Sequence, residues 1–362
     1  MKRLSVLAAA GLALVGACSP NSGNKADTSK AAAASASSGA DLTGAGATFP
    51  YPIYSRWISQ YAAKTGVKVN YQNIGSGGGI KQLSEETVDF GASDAPMSDS
   101  DMAKAKGGAV YHIPTVVGVV GIGYNVPGLT QPLKLTGPVL ADIYLGKIKR
   151  WNDSRIAGLN PGVTLPAADI LVVHRTEGSG TTFIFSDYLS SVSPAWKAGP
   201  GKGKELNWPT GLGAKGNEGV AGQVKQTPGA IGYIELAYIT QNKITAAELQ
   251  NASGKFVAPS AASATAAAAA AVEKFPASTD YRVSIVNSPG ADTYPITSFT
   301  WLLVYQHMAD AAKAKKLADF IRWSLTDGQK DVSSLDYAPL PQALVPRLTA
   351  RIDSIAAAGQ AK

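Results

Sequence analysis

Three times in this chain a strand-like apolar run gives way to glycines and hydroxyl residues just before a helix-like segment. Gly44-Ala45-Gly46-Ala47-Thr48-Phe49-Pro50 leads into a helical pattern over residues 53–63. Gly75-Ser76-Gly77-Gly78-Gly79 follows the alternating run 67–71 and opens a helical segment over 79–86. Arg175-Thr176-Glu177-Gly178-Ser179-Gly180-Thr181-Thr182 follows the apolar run 170–173 and opens a helix over 182–190. With the β-branched and glycine run 115–124, this alternation predicts an α/β protein built on open sheets. The alanine-rich stretch 261–272, followed by Glu273 and Lys274, reads as a surface helix.

The chemistry of such junctions narrows their use. The first backbone N–H groups of a helix lack partners, and the helix dipole is positive there. Glycines let backbone approach a ligand closely, and Ser or Thr hydroxyls add donors, so a tetrahedral oxyanion suits the place. Plain N-capping by Ser or Thr explains a single loop equally well. Three such loops in one chain favour the anion. Asp94, within Asp89-Phe90-Gly91-Ala92-Ser93-Asp94-Ala95-Pro96, reads either as a turn cap before Ser98 or as a carboxylate beside the same site.

The chain has 362 residues, 45% of them apolar and 16% charged, enough for two lobes with their own cores and too apolar for a disordered protein. Its net charge of +7 is scattered, with no basic run of the kind that binds nucleic acid, though it suits the steering of small anions. Lys2 and Arg3 precede an apolar stretch over residues 4–17, too short to span a bilayer and patterned as an export signal. Cys18, the single cysteine, follows the small residues that end that stretch. Cleavage before it would free it for lipidation, and residues 18–41, rich in Ala and Ser, would tether a folded part beginning near Leu42. The expected location is the periplasm or cell surface, on a lipid anchor.

Several alternatives fall away. Gly211-Leu212-Gly213-Ala214-Lys215-Gly216 satisfies G-x-G-x-x-G, but the polar, proline-ended stretch before it offers no strand for a dinucleotide site. A P-loop motif is lacking. Gly178-Ser179-Gly180 is no nucleophile elbow, because Glu177 stands where the first glycine is needed. His112, His174 and His307 have no metal-ligand spacing. No catalytic group, metal or cofactor is expected.

Seven collinear blocks then carry a resemblance. They are residues 43–50, 71–76, 88–96, 142–148 (Asp-Ile-Tyr-Leu-Gly-Lys-Ile), 178–181, 228–233 (Pro-Gly-Ala-Ile-Gly-Tyr) and 294–297 (Tyr-Pro-Ile-Thr). In order and content they resemble the bacterial periplasmic phosphate-binding proteins of phosphate ABC transporters, over essentially all of the chain from Leu42. The resemblance implies a two-lobed, type II periplasmic-binding-protein-like fold with the ligand in the cleft. Residues 42–119 and 288–362 would form lobe I, and 120–287 lobe II. It implies inorganic phosphate as ligand, held by Thr48, Phe49 (through its backbone N–H), Ser76, Asp94, Arg175, Ser179, Gly180 and Thr181. Hydroxyls would donate hydrogens, Arg175 would supply the positive charge, and Asp94 would accept the hydrogen of hydrogen phosphate, which sulfate lacks. A monomer delivering phosphate to a membrane permease and its ATPase is implied as well. Two departures stand out: Glu177 occupies a position where the best-known members carry an aspartate that pairs with the arginine, and Gly77 stands where some relatives have a second serine.

Overall fold

The structure, a computed structural model, describes residues 41–129, 131–271 and 280–358. The expected signal segment, Cys18 and the tether through residue 40 lie outside the described residues, as does Val272 at the end of the expected alanine-rich helix. Twelve strands are described: β1 (Leu42–Gly46), β2 (Val69–Asn73), β3 (Phe90–Ser93), β4 (Val110–Tyr124), β5 (Lys134–Leu135), β6 (Leu171–Arg175), β7 (Leu212–Ala214), β8 (Ala230–Glu235), β9 (Thr245–Ala246), β10 (Glu248–Gln250), β11 (Phe256–Val257) and β12 (Thr297–Tyr305). The main sheet runs β2-β1-β3-β12-β4-β8-β6-β7, with β9 also on β4, and a small sheet runs β11-β10-β5.

The long strand β4 organises the molecule. From Val110 to Val119 it pairs antiparallel with β12, and from Val120 to Tyr124 it pairs with β8. On one side of this exchange β1, β2 and β3 run parallel, and on the other β6, β7 and β8 do. Buried on nearly every residue, β4 reads in sequence as an unbroken apolar run instead of an alternating one. It begins five residues before the expected start at residue 115 and runs through Pro114. That proline is tolerated because the register against β12 shifts there: Val116 faces Thr300 and Pro114 faces Trp301, leaving Thr115 as the extra residue of a bulge.

Helices α1 (Tyr51–Thr65), α2 (Ser76–Ser84) and α3 (Asp99–Ala103) accompany the first group of strands. With the second group go α4 (Gly137–Tyr144), α5 (Ser154–Ala157), α6 (Gly180–Val192), α7 (Pro194–Ala198), α8 (Gly216–Gln226), α9 (Leu236–Asn242) and α10 (Ala261–Ala271). The chain then returns through β12, and α11 (Ala311–Leu325) packs on α12 (Val345–Ala358), α1 and β1. The expected helices all form, and those at the glycine junctions begin earlier than expected: α2 starts at Ser76 and α6 at Gly180. The alanine-rich helix is half core. Ala264, Ala267, Ala268 and Ala271 are buried against β4 and β12, where only a methyl-sized side chain lets the helix lie that close.

Candidate functional site

The C-terminal ends of β1, β2, β3, β6 and β7 all point toward one buried region, where binding crevices form in open α/β sheets. Thr48 and Phe49 lie between β1 and α1. Ser76 opens α2, Asp94 follows β3, and Arg175 ends β6. Ser179 caps α6, and Gly180 and Thr181 form its first turn. All eight of these residues are buried. Phe49 is seated by the sheet itself: a Cβ on Gly118 would stand 2.3 Å from the Phe49 ring, so only glycine lets the ring lie against β4.

Accounting for lone pairs defines what the hydroxyls can do. Ser76 Oγ accepts from the backbone N–H of Asp94 (3.2 Å) and of Gly180 (3.0 Å). Thr48 Oγ1 accepts from the backbone N–H of Asn217 (3.2 Å) and from its Nδ2 (2.9 Å). Thr181 Oγ1 accepts from an Arg175 terminal nitrogen (3.2 Å) and from Asn217 Nδ2 (3.1 Å). A hydroxyl oxygen has two lone pairs, so each of these three keeps only its hydrogen to offer. Ser179 Oγ accepts from Thr182 N–H at 3.0 Å in an ordinary N-cap, so at this loop capping and a further donor coexist on one hydroxyl.

The Arg175 side chain is 1% exposed and held from several sides. Its backbone N–H donates to Tyr233 Oη at 2.9 Å, and Tyr233 in turn stacks on Phe185 with ring centres 4.4 Å apart. Nε donates to Glu177 Oε1 at 3.0 Å, and a terminal nitrogen donates to the same oxygen. Gly216 N–H adds a third bond to Oε1, at 3.0 Å, while Oε2 is buried without a partner among the described residues. Burial opposes the charge on Glu177, but the hydrogen bonds and charge of Arg175 outweigh it and hold its carboxyl below the usual range. The longer side chain thus grips the guanidinium through one oxygen instead of a two-oxygen fork.

Asp94 is 1% exposed, and its Oδ1 accepts from Thr300 Oγ1 at 2.8 Å. Thr300 sits where the bulge shifts the register of β12. Burial pushes the Asp94 carboxyl up to about 7, against the opposing influence of Thr300, Arg175 and Ser76.

Behind Phe49 lies a second buried acid. Tyr337 Oη donates to Phe49 O at 2.7 Å and stands 3.1 Å from Glu235 Oε2. One hydroxyl hydrogen cannot serve both oxygens, so with that hydrogen on Phe49 O the contact to Glu235 needs a proton on the carboxyl. Burial accordingly raises Glu235 well above the usual carboxylate range, and its Oε1 has no partner among the described residues. Tyr238 Oη donates to Thr48 O at 2.7 Å, fixing the neighbouring residue.

Asn217, Glu235, Tyr238, Thr300 and Tyr337 escape sequence reading, and Tyr233 enters it only as the end of the block 228–233, with no role. For Asn217 a signal existed. The glycine motif dismissed for want of a preceding strand contains one, β7, and α8 begins at Gly216, whose φ of +72° suits glycine. It is a fourth strand-to-helix junction of the same design. The others come from distant segments and carry no local mark.

A family model described as a PBP superfamily domain matches residues 31–327. The phosphate-binding protein PstS of Xylella fastidiosa (strain 9a5c) is 47% identical over 313 residues, covering 85% of this chain and 84% of that protein. Among solved structures, a high-affinity periplasmic phosphate-binding protein with phosphate bound (PfluDING) aligns with a TM-score of 0.67 at 21% identity, over 88% of this chain and 93% of that one. An ABC-type phosphate transport receptor from Vibrio cholerae aligns with a TM-score of 0.52 at 18% identity, over 83% and 100%. Sheet order, strand exchange at β4 and these likenesses agree: the chain has the two-lobed periplasmic-binding fold and belongs to the phosphate-binding protein family of the PBP superfamily.

Proposed function

We propose that this chain captures inorganic phosphate outside the cytoplasm, as hydrogen phosphate, and delivers it to an ABC transporter. It acts as a binding protein and not as an enzyme. The observation that carries the reading is the lone-pair balance of the buried site. Thr48, Ser76 and Thr181 have only hydrogens left to give, Arg175 supplies the positive charge, and Asp94 is the carboxylate among them. Such a set matches an anion with many acceptor lone pairs and one hydrogen. Phosphate oxygens would take the hydroxyl hydrogens of Thr48, Ser76, Ser179 and Thr181, the N–H of Phe49 and the Arg175 fork, while the Gly180 N–H serves the ligand indirectly by filling a lone pair of Ser76 Oγ. The ligand's own hydrogen would go to Asp94. Sulfate brings no hydrogen and would face a carboxylate with nothing to donate, which disfavours it by as much as ~10⁴–10⁵.

Lobe I would comprise residues 42–119 and 288–362, and lobe II residues 120–287, with β4 and the irregular stretch leading into β12 as the crossings. Thr48, Ser76 and Asp94 then belong to one lobe and Arg175 to Thr181 to the other, so one ion contacts both and favours closure. Lipidation at Cys18, a monomeric state and docking on a permease with its ATPase complete the proposal. Its test is calorimetric titration of the processed protein, stripped of ligand by unfolding and refolding, with phosphate. Micromolar or tighter binding is expected; silence toward phosphate, or robust turnover of a chromogenic phosphate ester, would contradict it.

A further inference from the structure

Asn217 is wholly buried at the start of α8 and makes four hydrogen bonds that together use every polar atom of its side chain. Its Oδ1 accepts from the backbone N–H of Glu235 at 2.9 Å, which fixes the orientation of the amide. Both Nδ2 hydrogens are therefore turned the other way, one to Thr48 Oγ1 and one to Thr181 Oγ1. These two hydroxyls approach the site from different strand-to-helix junctions, β1–α1 and β6–α6. Each has its second lone pair filled as well, Thr48 by the Asn217 backbone and Thr181 by Arg175.

We infer that Asn217 is a positioning residue that sets ligand specificity: by saturating the lone pairs of Thr48 and Thr181 it forces both hydroxyls to act as donors only. This rests on the phosphate reading and adds to it a limit on ligand protons. With Thr48, Ser76 and Thr181 unable to accept, only Asp94 and one open lone pair on Ser179 Oγ are left to take a ligand hydrogen, so the site favours an ion with one hydrogen over one with two. Without the amide, each threonine regains a lone pair, and its hydroxyl can turn to accept a second ligand hydrogen. Asn217 also joins the two junctions directly, so the donor orientation and the approach of Thr48 to Thr181 are coupled. The ionisable groups around it are Asp94 beyond β3, Arg175 at the end of β6 and Glu177 after it, Glu235 at the end of β8, and Lys215 and Glu218 beside it along the chain.

The test compares the full processed protein with Asn217→Ala by phosphate calorimetry at about pH 8 and about pH 5, the range over which the ligand and Asp94 both gain protons. Asn217→Ala should weaken binding at the higher pH by about 10- to 100-fold, the scale of one or two lost hydrogen bonds. The native chain should lose affinity steeply toward the lower pH, and the variant should lose it less. A role in packing alone would weaken binding by the same factor at both pH values, and that result would overturn the inference. In a Thr181→Val background the further effect of Asn217→Ala should shrink to within about three-fold of the effect left through Thr48. An undiminished effect there would likewise overturn it. If that background no longer binds, the pH comparison alone decides. Should Asn217→Ala not fold, the isosteric Asn217→Asp is read the same way: its carboxylate draws the threonine hydrogens away from the ligand, and unchanged affinity would refute the role. A native chain that binds no phosphate overturns both this inference and the reading beneath it, whereas native binding with an indifferent Asn217→Ala overturns only this one.

Discussion

Asp94 is the residue on which pH acts. Its folded pKa of about 7 lies above the ordinary 3.8, so the neutral form stabilises the fold. That contribution is complete below about pH 4 and is lost as the pH climbs toward about 7, on the order of 2–4 kcal/mol for a shift of this size. Asp94→Asn mimics the neutral acid at every pH. The melting temperatures of the two ligand-stripped proteins should coincide near pH 4 and diverge in favour of the variant by pH 8; parallel curves would show that Asp94 is not the group that titrates. Glu235 gives a second case. Glu235→Gln keeps a donor toward Tyr337 and should stay within about 1 kcal/mol of native stability, whereas Glu235→Ala should cost about 2–4 kcal/mol through the cavity and the broken network. At this scale the sequence was informative where a residue sits in a local pattern: Ser76, Ser179 and Thr181 announce themselves by glycine neighbours and a following helix. Thr300 and Tyr337 do not, because they reach Asp94 and Phe49 from more than two hundred residues away, and nothing around them differs from ordinary strand or turn sequence.

Among the elements, the strand-to-helix junctions carry the consequences. A Cβ on Gly180 would fall 2.5 Å from Ser76 Oγ and 2.6 Å from Asp94 Cβ, so Gly180→Ala forces α6 away from α2 and β3. Phosphate affinity should fall by at least about 100-fold, with a smaller effect on the melting temperature, because the clash lies between elements that the ligand brings together and not within either core. Calorimetry and thermal unfolding on the same preparation separate the two effects. Gly118→Ala should do the reverse, costing about 1–3 kcal/mol of stability by displacing the Phe49 ring. Strand and helix alternation was visible in residues 42–190 because small residues cluster at each junction. Boundaries were less visible: the first turns of α2 and α6 are built of glycine, serine and threonine, which propensity places outside a helix. The fourth junction, at β7 and α8, was hidden for a related reason. A three-residue strand half open to solvent has no apolar run to show.

Across the whole molecule the two sides of β4 meet through polar contacts near the site and through apolar packing away from it, as where α10 lies on β12. Gly77 N–H donates to Gly178 O at 2.8 Å, Lys204 reaches Asp101 at 3.2 Å, and Asn217 meets Thr48. Lys204 and Asp101 are both partly exposed, so their pair is worth about 0.2–1 kcal/mol, and Lys204→Ala should weaken phosphate binding by no more than about five-fold. In the proposed mechanism the ion adds its contacts to both sides, and X-ray scattering should give a smaller radius of gyration with phosphate than without. The two-lobed plan was readable only through family likeness. Local patterns predict strands and helices, but the pairing of β4 with β12 joins segments nearly two hundred residues apart. The measurement that bears most directly on the proposed capture of hydrogen phosphate is calorimetry of phosphate and of sulfate on the stripped native chain and on Asp94→Asn, at neutral pH. The native chain should bind phosphate and give no sulfate signal, and Asp94→Asn should admit sulfate, with selectivity falling at least about 100-fold. A native chain that takes sulfate as readily as phosphate, or an Asp94→Asn variant as selective as the native one, would contradict the role of Asp94 as the site's acceptor.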